Sequence, residues 1–211
     1  MTIFVQTFRF AAEPFFFNHS KEKDSKKTYA EIMNYFVIVC SLIFLGTMMN
    51  MDWIQYFVGK EYREGLNVVP ILLLANMFLG IFFNQSIWYK LTGQTHYGAF
   101  LTIFGAIITI VLNIYWIPRI GYMGSAWATL ICYASMMIAS WFMGNKHYPV
   151  NYDLKRILGY LTLSVLLYFI STFIKSNSAT INLVINNSLL IGFIAVVWKL
   201  EGKKLIPVKQ K

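Results

Sequence analysis

Six stretches of this chain run for 18 or more residues without a single lysine, arginine, aspartate or glutamate. They are Ile32–Met51, Leu66–Tyr89, Leu91–Pro118, Ile120–Asn145, Ile157–Ile174 and Ser176–Trp198. A helix rises about 1.5 Å per residue, so each run is long enough to cross roughly 30 Å of hydrocarbon. Within lipid, only a helix satisfies every backbone donor and acceptor of an isolated segment. The sequence therefore predicts an all-α membrane protein with a bundle of six full transmembrane helices. Composition agrees: 57% of residues are hydrophobic and 13% charged, where a soluble domain carries about a quarter charged. A soluble enzyme is excluded.

The first 17 residues, MTIFVQTFRFAAEPFFF, are also strongly apolar but contain Arg9, Glu13 and Pro14. A signal peptide carries its positive charge before the apolar stretch and small residues at a cleavage site. Here the arginine is central and three phenylalanines close the segment, so an additional N-terminal helix is expected instead.

Loop charge gives the expected orientation, because cytoplasmic loops collect lysine and arginine. Taken in order, alternate loops are rich and poor. The first (Lys21, Lys23, Lys26, Lys27), third (Lys90), fifth (Lys146, Lys155, Arg156) and tail (Lys199, Lys203, Lys204, Lys209, Lys211) hold thirteen basic residues. The remaining loops hold four: Lys60, Arg63, Arg119 and Lys175. Only Arg9 lies outside this scheme. The first loop and the C-terminus are expected in the cytoplasm, which starts the N-terminal helix on the outer face. That parity is expected either from an odd number of spans upstream, with the N-terminal helix truncated from a longer chain, or from a seven-span protein with an external N-terminus; the first is the favoured expectation. Residues 1–199 are expected to form one transmembrane lobe and residues 200–211 a basic cytoplasmic tail. The net charge of +9 follows from these loops, so no nucleic acid partner is expected.

Cys40 and Cys132 lie within apolar runs and read as small buried hydrophobes. All six tryptophans, Trp53, Trp88, Trp116, Trp127, Trp141 and Trp198, fall near span ends, the position of an interfacial aromatic belt.

Charge within a span is costly and marks function or pairing. Arg9 and Glu13 are four residues apart and share a helix face. Either Arg9 presents a fixed cation to an anionic substrate, oriented by Glu13, or the two form a structural ion pair. Pro14 is positioned to kink the helix beside them. Asn76, Asn84, Gln85, Asn113, Asn182, Asn186 and Asn187 are expected mainly to bond across to neighbouring helices. In Gly121–Thr129, GYMGSAWAT, Gly121, Gly124 and Ala128 form a small-residue face for close helix packing, and Pro118 marks the short turn before it. His19, His96 and His147 have no partners at ligand spacing. No metal, cofactor or catalytic constellation is expected, and hence no enzyme.

FRFAAEPFFF at residues 8–17, LTGQTHYGA at 91–99 and NIYWIPRIGYMGSAWAT at 113–129 resemble the polysaccharide exporters of the multidrug/oligosaccharidyl-lipid/polysaccharide exporter superfamily, the O-antigen flippase type. The last stretch carries most of the likeness, through Asn113, Ile117, Pro118, Gly121, Gly124, Ser125, Ala126, Ala128 and Thr129. The resemblance implies two helical lobes around a central cavity, of which this chain would be the C-terminal one. The missing N-terminal lobe, or an upstream gene product, would be its partner. It further implies translocation of undecaprenyl-diphosphate-linked oligosaccharide across the bacterial cytoplasmic membrane by alternating access. Arg9 and Glu13 would bind this substrate, while Asn113, Pro118, Gly121, Gly124 and Ala128 would pack helices. Two other readings are a multidrug cation exporter of the same superfamily, which needs an acidic cavity, and a non-transporting scaffold subunit of glycan assembly.

Overall fold

The computed structural model describes residues 1–174 and 179–205. Of the described residues 89% are helical, and none is in a strand. An N-terminal helix α1 (Thr2–His19) leads into α2 (Ser25–Met49), α3 (Met51–Ile54), α4 (Val69–Gln85), α5 (Ile87–Leu91), α6 (His96–Ile120), α7 (Tyr122–His147), α8 (Leu154–Phe173) and α9 (Ala179–Leu205). Short 3₁₀ segments, Gln55–Phe57 and Lys60–Val68, link α3 to α4.

Among the described residues, six helical stretches are long and apolar enough to span a bilayer. Their outward faces show the same solvent preference. On α6, Ile103, Ile107, Ile110, Val111 and Ile114 are 56–73% exposed at helical spacing, a stripe that water would penalise and hydrocarbon accommodates. The protein is a multi-pass membrane protein.

The chain divides into two compact units. Unit 1 comprises residues 1–37 and 64–154, with α7 packed along both α4 and α6 and α1 resting on α4. At one end of this unit Phe16, Tyr29, Ile87 and Val150 form a buried cluster. These residues come from the C-terminal end of α1, the start of α2, the end of the α4–α5 arm and the segment after α7. The first, third and fifth loops therefore meet at one end of unit 1. At the far end the Tyr122 hydroxyl donates to the Glu64 carbonyl at 3.3 Å, joining the second and fourth. Unit 2 comprises residues 38–63 and 155–211. Within it Asn186 of α9 donates to the Met49 carbonyl of α2 at 2.8 Å, and Phe44 meets Tyr168 of α8 edge-on.

Close approach of α6 and α7 rests on Gly124. A β-carbon there would lie 2.8–2.9 Å from the β-carbon and backbone carbonyl of Trp116, atoms that cannot move aside. Ala128, one turn on, is fully buried.

Several expectations are corrected. Pro118 does not form the turn between α6 and α7; it lies inside the last turn of α6, where its missing N–H leaves the Ile114 carbonyl without a ladder bond close to the helix end. The reversal is made by Gly121, whose φ of +59° is open to glycine and strained for other residues. Pro118 and Gly121 are both exposed, whereas Gly124 is buried. The run Leu66–Tyr89 is not one uninterrupted helix. It breaks at Ser86, whose hydroxyl bonds the Phe83 carbonyl at 2.6 Å, a side chain competing with the helical ladder. α9 runs on past residue 199 to Leu205. Lys175, Lys209 and Lys211 lie outside the described residues.

Trp88 leaves the expected interfacial belt. It is 2% exposed, because Ser140 of α7 accepts its indole N–H at 3.3 Å and satisfies a donor that would otherwise seek the headgroups. The amides also divide. Asn76 accepts from Thr2 of α1 at 3.0 Å and Asn186 reaches α2, whereas Asn84 and Asn187 donate to carbonyls of their own helices.

Candidate functional site

Arg9 and Glu13 lie on α1 with Arg9 Nε 3.9 Å from Glu13 Oε1. The same oxygen is held more closely by Lys90 Nζ, at 2.5 Å. Two cations thus share one carboxylate, and the group carries one net positive charge. Lys90 belongs to α5, and the break at Ser86 separates α5 from α4.

Aromatic rings flank the arginine. Its guanidinium carbon stands 4.7 Å from the Phe83 ring centroid and 5.2 Å from that of Phe10, within cation–π range. The side chains of Arg9, Glu13 and Lys90 remain 31%, 35% and 24% exposed, so each keeps surface for a further partner. Glu13 lies one turn from the Phe16 cluster, toward the end where the first, third and fifth loops meet. Carboxylate and lysine therefore sit near a helix end, where ionised groups are cheaper than at mid-span. Lys90 is 77 residues from Glu13; the sequence marks it only as the sole basic residue of its loop.

A second polar cluster in unit 1 surrounds Trp88. His147 stacks on its indole at 5.4 Å and 18°. His147 Nδ1 lies 2.9 Å from the Met143 carbonyl, which can only accept. In the neutral ring Nδ1 therefore carries the hydrogen and Nε2 accepts from the Tyr97 hydroxyl at 3.3 Å. Beside Trp88 lies a cavity of about 10 Å³, room for one water molecule. Gln85 lines it, and the Gln85 Oε1 is buried without a hydrogen-bond partner. Tyr152, on the same wall and outside the spans, has its hydroxyl pushed above the ordinary phenol range by burial, and by Tyr148 nearby. These groups knit α5 to α6 and α7, and their arrangement offers no nucleophile–base pair.

Unit 2 holds a buried ionic group. Glu201 of α9, 3% exposed, accepts from the Tyr160 hydroxyl at 2.8 Å and lies 3.5 Å from Arg156 Nη1. Both partners are on α8. Glu201 is the only acidic residue after Asp153, a signal that passes unnoticed beside the lysines around it.

The remaining candidates do not join these groups. Asn113 is half-buried, and its Oδ1 has no partner. His96 meets the ring of Tyr97 at 4.4 Å, and His19 stacks on Phe15. No set of three or more histidine, cysteine, aspartate or glutamate side chains is placed to hold a metal among the described residues. Comparison with family models, curated proteins and solved structures finds no match in any of the three.

Proposed function

We propose that this chain is one lobe of a transporter that moves undecaprenyl-diphosphate-linked oligosaccharide across the bacterial cytoplasmic membrane by alternating access. The observation that carries the reading is the Arg9–Glu13–Lys90 group. Two cations, Arg9 of α1 and Lys90 of α5, divided over the single Glu13 carboxylate leave one unbalanced positive charge between the two helices. Guanidinium binds phosphate oxygens in pairs and stays charged when desolvated, while lysine adds a mobile point charge. Glu13 holds both at fixed positions until an anion replaces it as their partner. The net charge favours an anionic substrate over the cation that a drug exporter would take. With the basic ends in the cytoplasm, the C-terminus is cytoplasmic and the cluster opens toward that side.

The companion lobe sits on the outer face of α1. There Ile3, Phe10 and Phe17, at intervals of seven, are 83%, 68% and 47% exposed, next to the charged group. A partner on this face would complete the cavity and shield Arg9 from lipid.

The test is glycan display by cells carrying the membrane protein with Arg9→Ala, Lys90→Ala or both. Each single change is expected to reduce surface glycan strongly, and the pair to abolish it, at unchanged protein level in the membrane. Normal display by the double variant, at normal abundance, rejects the assignment.

A further inference from the structure

The segment between α2 and α4 turns its aromatic rings outward. Trp53, Tyr56, Phe57 and Tyr62 are 60%, 72%, 91% and 74% exposed, four large rings within ten residues. The loop is nevertheless ordered around its own backbone. Arg63 Nε donates to the carbonyls of Gln55 and Val58 at 3.1 and 3.4 Å, and its guanidinium faces the Tyr56 ring at 5.4 Å. Gln55 donates to the Asp52 carbonyl at 2.9 Å. A loop in water would fold its rings over such a frame. This one ties its cation to backbone carbonyls and leaves the rings exposed.

We infer that Met51–Arg63 lies in the membrane interface, with Trp53, Phe57 and Tyr62 set at the headgroup–acyl boundary and the Lys60 ammonium at the phosphates. Continuity with the lipid-facing surface argues for this occupant over a protein partner. The segment begins two residues after Met49, where α2 ends a spanning helix of 25 residues, and it leads into the next span. Its backbone is tied to the edge of the hydrocarbon at both ends and is coiled into short turns. Tryptophan and tyrosine partition to this depth because each ring has an apolar body and a polar tip. Phenylalanine adds apolar area beneath it, and exposed Lys60 extends its charge to the phosphates. The segment would thereby fix the height of α2 in the bilayer.

Nitroxide accessibility in the intact chain tests this directly. Cys40 and Cys132 are buried, so a cysteine introduced by Phe57→Cys takes the label selectively. The labelled protein is placed in phosphatidylethanolamine–phosphatidylglycerol vesicles and compared with a Lys23→Cys label on the exposed first loop. The expected result at position 57 is a collision ratio of oxygen to an aqueous nickel chelate several-fold above that at position 23. Equal ratios mean the loop stands in water and overturn the inference. Low collision with both probes means protein covers the rings and overturns it equally. Tyr62→Cys provides an independent site in case the first variant does not fold, with the same outcomes.

Discussion

Among the described residues, two groups each join an arginine to a glutamate, and they differ in what surrounds the carboxylate. Around Glu201 everything is closed: the side chain is 3% exposed, with a tyrosine hydroxyl and an arginine bound to it from a single helix. Around Glu13 about a third of the surface stays open, one oxygen serves two cations on different helices, and aromatic rings line the arginine. Removing a carboxylate from water is costly and is recovered only when good partners replace the solvent. The Glu201 group meets that condition and ties α9 to α8. The Glu13 group keeps part of its solvation and binding capacity, so its energetic role in folding is small and its capacity for exchange is large. On the proposed reading, a similar pair of residue types serves as a clasp in one place and as a site in the other, with burial distinguishing the two.

The largest effect that sharpens this contrast is expected from Arg156→Ala. Splitting a fully buried ion pair costs roughly 3–5 kcal/mol; because about a third of Arg156 meets solvent, a loss of about 2 kcal/mol is expected. Thermal unfolding in detergent measures it. Tyr160→Phe should follow, at about 1.5 kcal/mol, the usual scale of a hydrogen bond to a charged acceptor. If neither change lowers stability, the Glu201 group is not a clasp and the comparison fails on that side.

Next in size are Lys90→Ala and Glu13→Gln. Partly exposed ion pairs contribute about 1 kcal/mol or less, so both variants should unfold close to the parent while glycan display separates them. Lys90→Ala removes a cation and is expected to lose display. Glu13→Gln frees both cations and is expected to retain anion binding. A large stability loss in either would make this group a second clasp.

The sequence makes the long elements legible because a span is a local property: absence of charge over a fixed length needs no partner to be recognised. The grouping of loop ends is legible for the same reason, since Lys21–Lys27, Lys90 and Lys146 carry their signal individually. Gly124 could be read as a packing point from its small neighbours. Lys90 opposite Glu13, and Glu201 opposite Arg156 and Tyr160, were not readable, because contacts across dozens of residues follow from how helices rotate about their axes. Trp88 misleads by the same route. Its place near a span end is true in one dimension, but Ser140, 52 residues away, gives its N–H a partner and draws it inside.

The smallest expected effect on stability is also the most discriminating between the two roles of Arg9. Arg9→Lys keeps the charge, the stem and the option of pairing with Glu13, so folding should shift by no more than about 0.5 kcal/mol, the usual range for a substitution away from the core. Transport should still fall, because an ammonium lacks the planar fork that engages two phosphate oxygens and stacks less well on Phe83 and Phe10. A structural pair needs only a cation beside Glu13, and lysine provides one. Reduced glycan display with unchanged unfolding therefore requires the guanidinium itself, and full display with unchanged unfolding reduces Arg9 to a charge that any base could supply.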